Sequence, residues 1–250
     1  LEIIRKVFRF DFKIIADNEA VYSEFILREL NFLKKNSFRF FVVYLNGLIC
    51  KQFEQYMLAT ADVITAVSNV DKKIYYLMNP KSNVKLFSNT IDMDLYNKEY
   101  NSNFKIKKKS ILLLGHFGYK NSPMNRARKW LYDEIMPLVW AKDPSIHLYI
   151  VGKNALLHND IDKNDKTSIF SNVDSTIPFL KGCSILVIPL RHESGTRFKI
   201  IEGGAAKIPC VSTSLGAEGL EIEHNKNILI SDNAKEFADN ILRLIKDDHL

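Results

Sequence analysis

Cysteine is scarce in this chain of 250 residues, and its three copies form no recognisable set. Cys50, Cys183 and Cys210 are odd in number, far apart in the sequence and surrounded by apolar residues. A disulfide framework needs an even set, and a structural metal site needs ligands at short, paired spacings. We therefore predict reduced cysteines in the core of a cytoplasmic protein, with no disulfide and no metal site.

Long hydrophobic runs are also lacking, since the longest ones, near residues 40–45 and 185–190, are interrupted within a few positions. A membrane-spanning helix needs about 20 apolar residues, so none is predicted. The formal net charge is +6, but apart from residues 105–109 the basic side chains are dispersed, which argues against a nucleic-acid partner. An anionic ligand and a peripheral contact with an anionic membrane are both compatible with this charge. Because the first residue is Leu and not Met, we expect a fragment of a longer protein.

Residues 184–220 carry the most informative pattern, which is that of a strand, a polar turn, a helix and a second strand. Residues 185–189 are apolar and rich in β-branched side chains, as is typical of a buried parallel strand. Residues 191–196 supply charge, hydroxyl groups and one glycine. A helix is predicted from Arg197 onwards, and Pro209 ends it.

The turn before this helix has the composition of an anion-binding site. A helix start leaves backbone N–H groups available at the positive end of the dipole. Gly195 would let a ligand approach the backbone, and Ser194 or Thr196 could cap the helix or hold a phosphate oxygen. Arg197 adds a bidentate cation. Glu202 follows about 9 Å further along the axis, where it could accept hydrogen bonds from a ribose. The alternative is an ordinary capped helix with a solvated glutamate.

Three segments in register carry a family resemblance: GTRFKIIE at 195–202, IPCVST at 208–213 and GAEGL at 216–220. Through them residues 110–247 resemble the C-terminal, donor-binding half of a GT-B glycosyltransferase and are similar to family 4 of the retaining enzymes. The resemblance implies an α/β fold, GT-B-like, with a Rossmann-type parallel sheet in the donor domain and an incomplete N-terminal Rossmann-like domain before it. It also implies transfer of a sugar from a nucleotide-diphosphate donor, with no metal ion and no other cofactor.

The resemblance also implies roles for individual residues. A glycine turn after the first donor-domain strand would approach the diphosphate, Arg197 or Lys199 would balance its charge, and backbone groups after a later strand would recognise the base. The implied catalytic residues are His116 and Glu193, and the implied binding residues are Gly115, Lys120, Gly152, Asn172, Val173, Ser194, Gly195, Thr196, Arg197, Lys199 and Glu202. His116 could equally be an ordinary turn histidine and Lys120 a loop charge, and Arg126 is a further candidate cation.

The sequence departs from the family pattern around the turn. The family carries two glutamates separated by seven residues, of which the second matches Glu202 and the first falls at Ser194. Glu193 would take its place if the loop shifts by one residue. The glycine pair at 203–204 indicates close packing against a neighbour or a ligand, because each glycine costs a helix about 1 kcal/mol. Lys207 stands where glycine normally ends this helix, so a strained backbone is expected there.

The predicted domain organisation has three parts. Residues 1–98 would form the partial N-terminal domain, residues 99–109 a linker, and residues 110–250 the C-terminal nucleotide-sugar-binding domain. In the hinge at 89–92 threonine replaces the glycine of the family. The Asp-Met-Asp triplet at 92–94 is interpreted as a helix cap and not as the metal site of the GT-A fold.

The leading functional interpretation is a retaining, metal-independent glycosyltransferase of polysaccharide biosynthesis. Its partners would be a nucleotide-sugar donor and a saccharide or lipid-linked acceptor. One alternative is a non-catalytic nucleotide-sugar-binding or scaffold module, which the Ser at position 194 favours. Another is a related GT-B enzyme such as a sugar-nucleotide epimerase.

Overall fold

The computed structural model describes residues 2–8, 11–98, 105–157, 161, 165–196 and 198–246. It divides the chain into two compact units. Unit 1 comprises residues 1–89, 192–196 and 218–220, and unit 2 comprises residues 90–191, 197–217 and 221–250. Part of the predicted linker lies outside the described residues, so the domain limits expected from the sequence stay a prediction. None of the described helices is long and apolar enough to cross a membrane.

Unit 1 contains a three-stranded parallel sheet in the order β1-β2-β3. Its elements are α1 (Glu2–Phe8), β1 (Ile15–Ala16), α2 (Tyr22–Arg28), a 3-10 turn (Glu29–Phe32), α3 (Phe38–Thr60), β2 (Val63–Ala66), α4 (Asn69–Met78) and β3 (Val84–Leu86). Its buried core consists of Val21, Leu58, Ile64, Ala66, Tyr75 and Val84. Ser37 and Ser68 begin α3 and α4, because each hydroxyl accepts a hydrogen bond from a backbone N–H that has no partner within the helix.

Several boundaries in unit 1 differ from the sequence-based expectation. Residues 40–44 are compatible with a strand in the sequence, but they belong to the single long helix α3. The apolar positions of residues 20–35 predict a single helix, but α2 ends at Arg28 and the 3-10 turn follows it. Residues 10–16 predict a strand, of which Ile15–Ala16 is a strand and the described residues 11–14 are not. Short apolar runs fit either a helix or a strand by periodicity, so packing decides between them.

Unit 2 contains a six-stranded, all-parallel sheet in the order β6-β5-β4-β7-β8-β9. Its elements are α5 (Met93–Asn97), β4 (Ser110–Leu114), α6 (Pro123–Trp130), a π-helical turn (Leu131–Ile135), α7 (Met136–Lys142), β5 (His147–Gly152), β6 (Thr167–Ser171), α8 (Ile177–Gly182), β7 (Ile185–Ile188), α9 (Phe198–Ala205), β8 (Cys210–Ser212), β9 (Leu229–Ile230) and α10 (Ala234–Lys246). The strands β4, β5 and β7 are buried along their whole length, as expected for a parallel sheet covered on both faces.

The three cysteines are free thiols, as the sequence predicts. Cys183 and Cys210 are buried, and Cys50 is half-buried. Burial raises the pKa of the Cys183 thiol to about 12, which keeps it protonated and unreactive at neutral pH. The cysteines therefore act as small apolar residues of the core.

The two glycines of α9 have different surroundings. A Cβ on Gly203 would lie 2.7 Å from Cδ2 of Leu186, whereas a Cβ on Gly204 would meet nothing within 4 Å. The close packing expected for the pair is therefore present at Gly203 only. The helical spacing of Phe198, Ile201 and Ala205 predicts that these residues form the core face of this helix. The prediction is wrong at Phe198, which is 40% exposed, because the buried positions are Ile200, Gly203 and Ala205.

Replacement of the two glycines by alanine is expected to have opposite effects on stability. Gly204→Ala should raise the free energy of unfolding by up to about 1 kcal/mol, because alanine favours the helix and nothing is displaced. Gly203→Ala should lower it by about 1–2 kcal/mol, because the new methyl group overlaps the buried Leu186. Urea denaturation of both variants checks the two predictions. A Gly204→Ala protein less stable than the wild type would contradict the first of them.

Lys207 has the backbone strain that the sequence predicts, since its φ is +59° two residues after the end of α9. Side chains with a Cβ disfavour this left-handed conformation by roughly 1–2 kcal/mol, whereas glycine adopts it readily. We expect Lys207→Gly to stabilise the protein by about 0.5–1 kcal/mol once the greater freedom of glycine in the unfolded chain is included.

The matched control is Lys73→Gly, at an exposed lysine inside α4. This change should cost about 1 kcal/mol, because glycine there loses helix propensity and relieves no strain. Thermal melts of the two variants in parallel give the comparison. Equal losses in both proteins would show that the backbone at Lys207 is unstrained.

Candidate functional site

The ends of β4 and β5 form the floor of the candidate site in unit 2, and Gly152 lets their backbones come together. Gly152 has a φ of +141°, and a Cβ there would lie 1.9 Å from the carbonyl oxygen of Gly115. A Cβ on Gly115 would in turn lie 2.4 Å from Cε of Met124. Ligands of open parallel sheets bind beyond the carboxyl ends of the strands, where the strand order reverses. In this sheet the order reverses between β4 and β7, directly beside Gly115.

Three polar side chains join the loops that follow β4, β5 and β6. The backbone N–H of Asn154 donates to Oδ1 of Asn172 at 2.9 Å, and Nδ2 of Asn154 lies 3.5 Å from Nε2 of His116. Both asparagines have a left-handed backbone, with φ of +60° and +57°. Asparagine tolerates this conformation better than most residues, and such strain often accompanies a binding site. The structure thus brings together two predicted residues, His116 and Asn172, with Val173 half-buried next to them.

Asn154 is a site residue that the sequence analysis missed. Its only signal in the sequence is an asparagine two residues after the glycine that ends β5, which is too weak to identify a role. Its effect depends on contacts across three loops that are distant in the chain. Asn154 fixes the position of Asn172 and so the geometry of the turn that carries the predicted base contacts.

A cavity of about 230 Å³ adjoins the loop after β4 and includes the predicted residue Lys120, which is exposed. Arg128, on α6, is buried, and its Nη1 donates to the Ala155 carbonyl at 2.8 Å. Its guanidinium also lies 5.2 Å from the ring centroid of Phe117. Arg126, the further candidate cation, is partly exposed and donates to the Asn121 carbonyl at 3.0 Å. Of these cations, Lys120 is the most exposed, and Arg128 holds the loop after β5.

Two predicted residues of α9, Lys199 and Glu202, are half-buried. The hydroxyl of Tyr96 donates to Oε1 of Glu202 at 2.9 Å. Tyr96 lies on α5, which begins at Asp92, whose carboxylate accepts a hydrogen bond from the Asp94 N–H. The interpretation of the Asp-Met-Asp triplet as a helix cap is therefore confirmed. Among the described residues, no group of three or more His, Cys, Asp or Glu side chains is placed to hold a metal ion.

The predicted residues 193–196 belong to unit 1, where α2 and the segment before it hold their loop. Nη1 of Arg28 donates to the Glu193 carbonyl at 2.8 Å, and Oγ of Ser194 donates to the Val21 carbonyl at 3.1 Å. Gly195 has a φ of +76°, and a Cβ there would lie 2.5 Å from the Glu19 carbonyl oxygen. Thr196 accepts a hydrogen bond from Asn89 at 2.6 Å. Each of these four residues thus has a structural contact, and their ligand roles stay predictions. Arg197 lies outside the described residues.

Arg28 is the main anchor of this loop and was missed by the sequence analysis. Besides Glu193 it contacts Glu218 through both terminal nitrogens, at 2.6 and 3.0 Å. Burial alone would lower the pKa of Arg28, but the hydrogen bond and charge of Glu218 outweigh it and raise that pKa. Next to this pair, the ring of His192 stacks on Phe25 with centroids 5.1 Å apart, and its Nε2 lies 2.9 Å from the Phe25 carbonyl.

The two parallel sheets with their intervening helices define a GT-B-like α/β protein. The chain belongs to the family Glycosyl transferases group 1, which matches residues 108–247. No curated protein sequence matches the chain. The GT-B-like fold inferred from the sequence is therefore confirmed.

Among solved structures, TarM of S. aureus is similar with a TM-score of 0.69 and 16% identity over 98% of this chain and 46% of TarM. HepE of Anabaena in complex with UDP has a TM-score of 0.67 and 13% identity over 99% of this chain and 66% of HepE. Sucrose-phosphate synthase from Thermosynechococcus elongatus has a TM-score of 0.68 and 14% identity over 97% of this chain and 61% of the synthase. At such identities these likenesses concern the fold. The chain spans between about half and two thirds of the length of these proteins.

Removal of the Arg28 side chain should destabilise unit 1. Arg28→Ala leaves the partly buried Glu218 and the Glu193 carbonyl without their donor, and we expect a loss of about 2 kcal/mol in the free energy of unfolding. The control is Arg39→Ala, which removes an exposed ion pair with Glu29 at 2.8 Å and should cost less than about 1 kcal/mol. Urea denaturation followed by circular dichroism measures both, and equal losses would show that Arg28 is no anchor.

Proposed function

We propose that this chain binds a nucleotide-diphosphate sugar at the carboxyl edge of the six-stranded sheet and takes part in the transfer of its sugar. The observation that carries the proposal is the position of the glycine turn at Gly115, at the point where the strand order reverses. Membership of the glycosyl transferases group 1 family supports the reaction class. HepE, which has a similar fold, was solved in complex with UDP and with UDP-glucose.

In this proposal different described residues of unit 2 contact different parts of the ligand. The backbone at Gly115 would approach the diphosphate, because glycine has no side chain to keep a ligand away from the backbone. Lys120 is exposed beside this turn and Lys199 lies in the first turn of α9, so that their positive charge could stabilise the leaving diphosphate. His116 is also exposed beside the turn, where its ring could donate a hydrogen bond to the diphosphate. Glu202 would accept hydrogen bonds from the ribose. The turn at Asn172 and Val173 would present backbone groups to the base.

Further parts of the proposal rest on the family resemblance. They are retention of configuration at the sugar, independence from metal ions, a saccharide or lipid-linked acceptor, and a place in polysaccharide biosynthesis. The proposed cytoplasmic location rests on the three reduced cysteines, and the proposed peripheral membrane contact rests on the net charge of +6. In chemical terms, cationic side chains and helix N-termini can stabilise a departing diphosphate in place of a metal ion.

One observation favours a second candidate, a nucleotide-sugar-binding module without transferase activity. The position at which the family has its first glutamate is occupied by Ser194, which is buried and donates to the Val21 carbonyl. No carboxylate is available at this position to contact the sugar. Glu193 is half-buried next to it, and its role in catalysis stays a prediction.

The test is a thermal-shift panel with UDP, GDP, dTDP and ADP. A ligand present at 100 times its dissociation constant should stabilise the protein by about 2.7 kcal/mol. One of the four should give a clear shift. Loss of the hydrogen bonds to the ribose in Glu202→Ala should weaken binding of that nucleotide roughly 10- to 100-fold.

The control for this variant is Glu236→Ala, at an exposed glutamate on α10. It should bind the same nucleotide as tightly as the wild type. Absence of any shift in the wild type would refute the proposed donor site. A shift without release of nucleoside diphosphate in the presence of the sugar donor would favour the non-catalytic module.

A further inference from the structure

The sequence does not predict the contact between Tyr96 and Glu202. The ring of Tyr96 is 7% exposed, so its hydroxyl is held in a fixed position against α9. That hydroxyl donates to Oε1 of Glu202 at 2.9 Å. In the described part of the chain, Tyr96 is the only hydrogen-bond partner of the Glu202 carboxylate. The glutamate is half-buried, so part of its side chain remains accessible.

A carboxylate with a single donor retains most of its capacity to accept hydrogen bonds. Its two oxygens offer about four acceptor positions, and the tyrosine occupies one of them. An ionised carboxylate accepts hydrogen bonds and donates none. The partner of such a group must therefore supply hydroxyl or N–H donors. The two neighbouring hydroxyls of a ribose meet this requirement, and a 2′-deoxyribose has lost one of them.

The tyrosine also restricts the movement of the glutamate before a ligand arrives. A free glutamate side chain has many rotamers, and ordering it on binding reduces affinity. The hydrogen bond from Tyr96 holds the Glu202 carboxylate in one orientation. The cost of ordering is thereby moved from ligand binding to folding.

We propose that Tyr96 is a positioning residue, which orients the Glu202 carboxylate so that the site prefers a ribonucleoside diphosphate over its 2′-deoxy counterpart. The proposal rests on the proposed function, because it assigns Glu202 to the ribose of the donor. It adds a residue outside the segment 195–202 that carries the family pattern. It also assigns the selectivity for the sugar of the nucleotide to a pair of residues on α5 and α9.

The experiment compares the wild type with Tyr96→Phe, Glu202→Ala and the double variant by isothermal titration calorimetry. The probes are the nucleoside diphosphate among UDP, GDP and ADP that gives the largest thermal shift, and its 2′-deoxy form. The control is Tyr149→Phe, because Tyr149 is 4% exposed and its hydroxyl accepts a hydrogen bond from the Lys107 N–H at 3.3 Å. This variant loses a buried tyrosine hydroxyl elsewhere in unit 2.

The wild type should bind the ribonucleotide at least roughly tenfold more tightly than the deoxynucleotide. Tyr96→Phe should weaken binding of the ribonucleotide by about five- to tenfold and binding of the deoxynucleotide less. The preference for the ribonucleotide, measured as the ratio of the two dissociation constants, should therefore fall. In the Glu202→Ala background Tyr96→Phe should have no further effect on binding, because the carboxylate that Tyr96 orients is already absent. The effects of substitutions at two residues in direct contact are not additive. Tyr149→Phe should leave the ratio unchanged.

The outcomes separate this proposal from the proposed function. If the wild type binds a nucleoside diphosphate and Tyr96→Phe leaves the ratio of constants unchanged, the role of Tyr96 is refuted and the donor site stands. Equal losses for the two nucleotides in Tyr96→Phe, or additive losses in the double variant, would likewise show that Tyr96 only supports the fold. If the wild type binds none of the nucleotides, both proposals fall.

Discussion

The contact between the backbones at Gly115 and Gly152 is the constraint on which the candidate site depends. A parallel sheet brings the carboxyl ends of its strands to one edge, but the loops there can converge only if their backbones approach closely. Gly152 permits this, because even one methyl group at that position would overlap the Gly115 carbonyl oxygen. The loops after β4 and β5 therefore meet, and the bonds between Asn154, Asn172 and His116 join the loop after β6 to them.

The residues of the family pattern are supported by side chains that lie far from them in the sequence. In unit 1, Arg28 and the carbonyl of Val21 hold the loop at 193–194. In unit 2, Tyr96 holds Glu202. Such supporting contacts fix the orientation of polar groups without touching a ligand, and they make those groups effective by reducing the freedom lost on binding.

The sequence predicted unit 2 better than unit 1 for a physical reason. The strands β4, β5 and β7 each contain a continuous apolar run of four residues, which is a clear signal for buried parallel strands. The apolar positions of residues 234–246 recur at helical spacing and so predict an amphipathic helix, which is observed as α10 with the same bounds. In unit 1 the long helix α3 contains β-branched and aromatic residues at 40–44, and its periodicity is weak. The strain at Lys207 was predictable because a helix end requires a left-handed residue, whereas Gly203 and Gly204 could be distinguished only by what surrounds them.

The amino-acid sequence by itself determined the α/β class, the family, and the residue types at the carboxyl edge of the six-stranded sheet. These properties depend on local periodicity and on short segments in register, which a linear chain contains in full. Only the tertiary structure decided which side chains hold those residues in place, among them Tyr96, Asn154 and Arg28. Their hydrogen bonds span 18 to 190 positions of the chain. A hydrogen bond requires two groups within about 3 Å, and folding alone brings together groups so distant in the sequence.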